Sequence, residues 1–324
     1  MKSYPVNNSL RTLILALAVV LCGATVANAQ KMKPQRKQAS VSPAAKVSPA
    51  TKSLLILTEP NTIVWLDEVR HGATDASGQL KLEKVRAGRH TLRVRAEGFK
   101  ERVLTLAPAE RGSINVKLLR TTDEAELLFQ RAEAAREQAR DEEARRASAE
   151  LYRQALVKRP RFPAARVGLA RVLLDLNDYG GAYDEIDRAR ALRPVYPEAS
   201  AVEGRIRRAD ADYAGAIEAF RRALREARDF QPEAHTGLAL VYEEKGQNEE
   251  AAAEFRAALS QLSDTEPVIY QLLGALYEKM EKYKEAVAAY EKYLQLAPEG
   301  SLAPAVRSIL DQLRRQAAEQ QTPS

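Results

Sequence analysis

The 324 residues read as a multidomain chain, a small all-β sandwich followed by an all-α solenoid of helical repeats. Three observations predict this. Residues 53–120 hold short apolar or alternating runs separated by turn formers, the signature of strands. From residue 121 small and aromatic residues return every 34 or 35 positions, the signature of stacked helical units. The whole chain is 45% hydrophobic, 29% charged and only 6% aromatic, which suits a mostly helical globular protein.

Ahead of both domains stands a leader. Residues 1–29 place Lys2 and Arg11 before the apolar run LILALAVVLC and end on Ala27-Asn28-Ala29, the pattern of a secretory signal cleaved after Ala29. The run is short for a bilayer span, so no transmembrane segment is expected in the mature protein. Cys22 raises a lipoprotein reading, but Val19-Val20-Leu21 lacks the small residue such a site needs next to the cysteine. The expected location is the periplasm, with association at the outer membrane left open. Residues 30–52, rich in Pro, Ser, Ala and Lys, form a disordered basic linker, and residues 321–324 a disordered tail. Residues 1–52 contain eight cations and no acid, which leaves a net charge of −2 on residues 53–324 although the whole chain carries +6. The basic excess therefore lies outside the folded domains, and a nucleic-acid partner is not expected.

In the first domain the runs LLILT, TIVWLD, QLKLEKV, HTLRVRA, RVLTLAP and SINVKLL are the expected strands. Leu92, Val94 and Ala96 alternate with Arg93 and Arg95, so one face is buried and the other wet. In EPNTIVWLDEVRHG, Val64 and Leu66 point inward, Asp67–Gly72 makes a hairpin turn, and Trp65 falls on the opposite face. A large ring there needs a cover, so Trp65 is a candidate contact. His71 sits in the turn, and His90 begins a strand. The elements Pro60-Asn61-x-x-Val64-x-Leu66-Asp67, Gly72-x-Thr74, Val85-x-x-Gly88-x-His90-x-Leu92-x-Val94 and Glu97-Gly98-Phe99 resemble the PEGA family of extracytoplasmic sandwiches. Residues 72–78 also resemble the carboxypeptidase-regulatory-like sandwiches. The literal Pro-Glu-Gly-Ala is absent, and Glu68 stands where a turn glycine commonly follows the Asp.

The second domain opens on Thr121-Thr122-Asp123-Glu124, which offers a hydroxyl N-cap with a Glu three residues on. A small–aromatic–small pattern then recurs as Ser148, Tyr152, Ala155, as Ala182, Ile186, Ala189, as Ala216, Phe220, Ala223, as Ala251, Phe255, Ala258, and as Ala286, Tyr290, Tyr293. Pro160, Pro194 and Pro298 follow three of these. Upstream anchors are Leu169-Ala170 with Leu173, Leu238-Ala239 with Tyr242, and Leu273-Gly274 with Tyr277. These spacings resemble the tetratricopeptide repeat, a helix-turn-helix unit. Five units are expected within 121–300, at about 129–162, 163–196, 197–231, 232–266 and 267–300, closed by a capping helix over 301–320.

Chemistry is scarce. The mature chain would hold no Cys and only His71, His90 and His235, and it contains no Gly-x-Ser-x-Gly, His-Glu-x-x-His, phosphate-loop or dinucleotide motif. No enzyme activity, metal or cofactor is expected. The repeat resemblance instead implies a protein or peptide partner lying along first helices. It marks Arg171 and Asp175, then Arg205 and Arg208, then Thr236, Leu240, Glu243 and Glu244, then Gln271. The Lys and Asn set with which some family members clamp a terminal carboxylate is missing: Val167 and Ala201 take the Lys positions, Arg171 and Arg205 the Asn positions. Residues 129–230 carry a net +3 and residues 231–324 a net −6, so the arginines are expected to meet acidic groups and Glu243 and Glu244 basic ones. The expected function is a non-catalytic adaptor or assembly scaffold in the bacterial envelope. The alternative is tethering to peptidoglycan or another envelope polymer through the β-sandwich.

Overall fold

A computed structural model describes residues 51–67, 69–262 and 266–320. The expected signal, Cys22, nearly all of the linker and the four-residue tail lie outside these.

Among the described residues seven strands pack as two sheets. One has three strands in the order β4 (Gln79–Arg86), β1 (Thr51–Leu57), β7 (Gly112–Asn115), with β7 parallel to β1. The other is an antiparallel sheet in the order β3 (Val69–Ala73), β2 (Ile63–Leu66), β5 (His90–Arg95), β6 (Arg102–Leu106). Alternation decides the core. Leu54, Ile56, Val64, Leu66, Leu82, Leu92 and Val94 are buried between the sheets, while Trp65 and Arg93, directly opposite each other, lie on the outer face of the second sheet.

Three local expectations are corrected. Val69–Ala73 is a strand, so His71 and Gly72 are not in a turn. The chain reverses between Leu66 and Val69 because Asp67 takes a left-handed φ of 50° and its carboxylate accepts from the Thr91 N–H at 2.7 Å, with His90 Nδ1 at 2.5 Å from its other oxygen. That short latch lets the returning strand pair at once. Strand β1 begins at Thr51, ahead of the expected boundary, and the Lys52 ammonium donates to the Pro108 and Glu110 carbonyls at 3.1 and 2.7 Å. The cap of the first helix is Asp123, whose carboxylate accepts from the N–H groups of Ala125 and Glu126, while the Thr121 hydroxyl accepts from the Asp123 N–H.

Eleven helices follow among the described residues. They pair as α1 (Glu124–Gln138) with α2 (Glu142–Lys158), α3 (Pro163–Asp175) with α4 (Tyr179–Leu192), and α5 (Pro197–Ala209) with α6 (Tyr213–Glu226). Then come α7 (Pro232–Glu244) with α8 (Asn248–Gln261), α9 (Pro267–Lys279) with α10 (Tyr283–Leu296), and the final α11 (Ala303–Glu319). Each first helix after α1 starts on proline, whose missing N–H is not needed there. Each later pair turns through a left-handed residue at the same place in the unit: Asn177, Ala211, Gly246 and Glu281, with φ between 56° and 74°. Only Gly246 suits this conformation freely; Ala211 and Glu281 hold it at about 1–2 kcal/mol each.

The recurring small residues matter because rings lie against them. A Cβ at Gly237 would stand 2.2 Å from the Phe220 ring and one at Gly204 2.6 Å from it, so the ring seals the third unit to the fourth. Tyr152 likewise seals the first unit to the second against Gly168, and Tyr290 packs against Gly274 between the two helices of the fifth unit. At the end, Val306, Leu310 and Leu313 of α11 bury Tyr290 and Tyr293, leaving a polar outer surface.

Candidate partner-binding groove

The first helices α3, α5, α7 and α9 carry the residues expected to meet a partner, and the structure pairs most of their charges across neighbouring repeats. Arg171 bonds Glu198 and reaches Glu233 at 3.1 Å; Arg205 lies 3.4 Å from Glu233 and 3.7 Å from Asp175. Arg208 meets Glu244 at 2.9 Å, and Lys279 approaches Glu243 at 3.9 Å. Spacing by whole repeats puts these side chains side by side, so the arginines and glutamates expected to seek a partner hold one another along the array. Thr236 donates its hydroxyl to the Pro232 carbonyl one turn back, and Leu240 and Gln271 are half-buried.

Electrostatics within the ladder is set mainly by Arg171. Burial opposes ionisation of Glu198, but Arg171, helped by Arg93 and Arg95, outweighs it and holds the carboxyl at about 2 against an ordinary 4.5. A lowered folded value stabilises the fold above the unfolded value, and the contribution is lost as pH falls from about 4.5 toward 2. Because the Glu198 side chain is 36% exposed, solvent screening reduces the effect. Glu198→Gln is expected to lower stability at pH 7 by about 1–2 kcal/mol, and more than half of that difference is expected to be gone by pH 3. Urea midpoints at the two pH values check this; an unchanging difference would contradict it.

Trp65 does not face open solvent. The guanidinium of Arg93 lies 4.4 Å from its ring centroid and that of Arg95 5.2 Å away. Arg95 also lies 4.8 Å from the Phe129 ring of α1 and 3.6 Å from Glu133. Arg70 meets Glu137 at 2.9 Å. Gln130 of α1 completes the joint by accepting from the Gly98 N–H and donating to the Phe99 carbonyl, at 2.9 and 2.8 Å. The outer sheet face thus covers the start of the inner groove and bounds an open cleft of about 1130 Å³.

That cleft also takes residues the sequence reading did not single out: Phe162 and Tyr196 at the starts of α3 and α5, Phe230, and Arg89, Arg193 and Arg228. Arg159 and Arg193 stack 4.4 Å over Phe162 and Tyr196 respectively. A signal existed, since Arg-Pro-x-aromatic-Pro occurs at both 159–163 and 193–197. Burial pushes the Tyr196 phenol well above its ordinary range, with Glu198 adding to the shift.

The histidines have structural partners. His90 holds Asp67, and His235 Nδ1 lies 2.6 Å from Glu254 of α8, joining the two helices of its unit. Burial lowers the pKa of His71, against a weaker opposing effect from Asp67. Among the described residues no group of three or more His, Cys, Asp or Glu is arranged to hold a metal ion, and no helix is long and apolar enough to cross a membrane.

A two-helix unit stacked with small-residue and aromatic seams defines a class, the tetratricopeptide-repeat solenoid. Three tetratricopeptide-repeat family models match this chain at residues 139–206, 202–267 and 267–299. Among solved structures it is similar to a thermophilic tetratricopeptide-repeat protein of Thermus thermophilus, at 24% identity and a TM-score of 0.50, over 59% of this chain and 99% of that one. It is similar to pilF of Pseudomonas aeruginosa at 17% identity and a TM-score of 0.50, over 60% and 88%. It also resembles PilW, a widely conserved type IV pilus biogenesis factor, at 16% identity and a TM-score of 0.50, over 61% and 91%. At these identities the likeness is one of fold. No curated protein matches the chain.

Proposed function

We propose that this chain is a non-catalytic protein–protein interaction adaptor that holds a partner segment against the inner face of its repeats. The observation that carries this is the division of labour within each unit. The buried seams of Ala, Gly and aromatic residues consume the apolar surface in stacking, while Asp175, Arg205, Arg208, Thr236, Leu240, Glu243, Glu244 and Gln271 stand on successive first helices, half-buried or exposed. An array of this kind offers a continuous surface assembled from several repeats. The charge ladder adds specificity more than raw affinity, because a partner must exchange existing ion pairs for new ones. A bacterial envelope setting rests on the leader read in residues 1–29, and the PEGA label on the spacing of turn residues in the sandwich.

The test is site-specific photo-crosslinking in the native host. A photoreactive side chain at Leu240 or at Gln271 is expected to capture the same partner, and one at Arg188, largely exposed on the second helix α4, is expected not to. Equal capture from all three positions would remove the groove reading.

A further inference from the structure

We propose that the cleft between the β-sandwich and the first repeats is a binding site for an acidic linear peptide segment, with Arg89, Arg193 and Arg228 as its carboxylate receptors. This rests on the adaptor reading and names the partner's chemistry. Seven carboxylates line the cleft, and each is already held. Six of them pair with an arginine: Glu101 and Glu133 with Arg95, Glu126 with Arg159, Glu137 with Arg70, and Glu198 and Glu233 with Arg171. Asp67 is held by His90 and the Thr91 N–H.

The arginines divide differently. Arg89, Arg193 and Arg228 come from three separate connections, before β5, before α5 and before α7, and all three are exposed at the cleft. Among the described residues none of the three has an ion pair. The Arg193 guanidinium lies 4.4 Å from the Tyr196 ring centroid, and a guanidinium held on an aromatic ring still has N–H groups to donate to a carboxylate. Three guanidiniums without an ion pair, around an opening also lined by Trp65, Tyr196 and Phe230, suit alternating acidic and apolar side chains.

Size and sign select the occupant. At about 1130 Å³ the cleft exceeds the roughly 300–1,000 Å³ of small-molecule sites, which favours a stretch of chain. Three separate arginines rather than a continuous basic track match a few spaced carboxylates and not a phosphate at every position. Residues 1–50 of this chain carry seven cations and no acid, so the protein's own N-terminal segment brings the wrong sign.

The probe is an array of twelve-residue peptides of randomised Glu, Asp, Leu, Tyr and Gly, with Gln/Asn and Lys counterparts of every sequence, exposed to the full chain. Acidic members are expected to be retained, and their neutral and basic counterparts to be lost. In solution the retained peptides should change the emission of Trp65, the single tryptophan. The triple variant Arg89→Gln, Arg193→Gln, Arg228→Gln should bind them about tenfold more weakly or worse, a change of about 1.4 kcal/mol. A matched triple variant at exposed arginines outside the cleft, Arg131→Gln, Arg225→Gln, Arg315→Gln, should bind like the parent. Equal retention of acidic and neutral peptides, or equal losses in both triple variants, overturns the proposal. Circular dichroism of both variants separates a lost site from a lost fold. If the array fails while crosslinks from Leu240 and Gln271 still converge on one partner, this inference falls and the adaptor reading stands.

Discussion

Replacing Phe220 by alanine is expected to remove about 3–5 kcal/mol of stability, the largest single effect anticipated in the solenoid. Its ring is fully buried on α6 and touches both Gly204 of its own unit and Gly237 of the next. Truncation leaves a void flanked by two glycines, which have no side chain to relax into it. Stacked repeats are held by each unit's own packing and by nearest-neighbour interfaces, so a void shared between two units weakens both contributions. Urea unfolding followed by helical circular dichroism should show a lower midpoint and a broader transition as the third and fourth units separate from the rest. A loss below about 1 kcal/mol would mean that the interface collapses around the missing ring, contrary to the close-packed geometry.

The second large effect belongs to Gln130, which joins the two domains. Its amide is buried on α1, accepts from the Gly98 N–H and donates to the Phe99 carbonyl and to Glu126. Gln130→Leu keeps the volume roughly constant but leaves two backbone groups of the sandwich unpaired, at about 1–3 kcal/mol for each that stays buried. The expected outcome is release of the sandwich from α1 without unfolding of either domain. Arg95 would then leave Phe129 and Glu133, and the cleft in front of Trp65 would open. Tryptophan emission should shift to the red, and protease cleavage near residues 120–123 should quicken, while the helical signal holds. An unchanged emission spectrum would show that the remaining contacts, Arg70 with Glu137 and Arg95 with Glu133, suffice to hold the joint.

Both predictions turn on features of unequal visibility in the sequence. Phe220 stood out because its place between Ala216 and Ala223 repeats through the array, and that recurrence has one physical cause, the need of each unit to bury its ring against the next. Gln130 carried no such mark. It lies on the face of α1 that meets the sandwich, a contact that does not recur from repeat to repeat. The same holds for the partner-facing charges. Arg171, Arg205 and Glu244 could be placed on first helices by spacing, but whether they face solvent or each other depends on how far adjacent repeats rotate.

The stretch around Trp65 shows the limit locally. Period-two alternation correctly sent Val64 and Leu66 inward and Trp65 outward, yet it read Asp67–Gly72 as one turn. A single left-handed aspartate with a carboxylate latch to residues 90 and 91 shortened that turn, and sequence-local reasoning does not see a partner more than twenty residues away.

What the sequence determined by itself is the part governed by local periodicity and by repetition: a β-domain followed by helical repeats, their seams and their closing helix. The tertiary structure alone decided that the outer face of one sheet covers the start of the inner groove, that Arg93 and Arg95 cover Trp65, and that most groove charges are paired while Arg89, Arg193 and Arg228 are not. The physical reason is range. Hydrophobic pattern is written at intervals of two, three and four residues, or of one repeat, whereas an ion pair or a stacked guanidinium depends on where two distant segments come to rest.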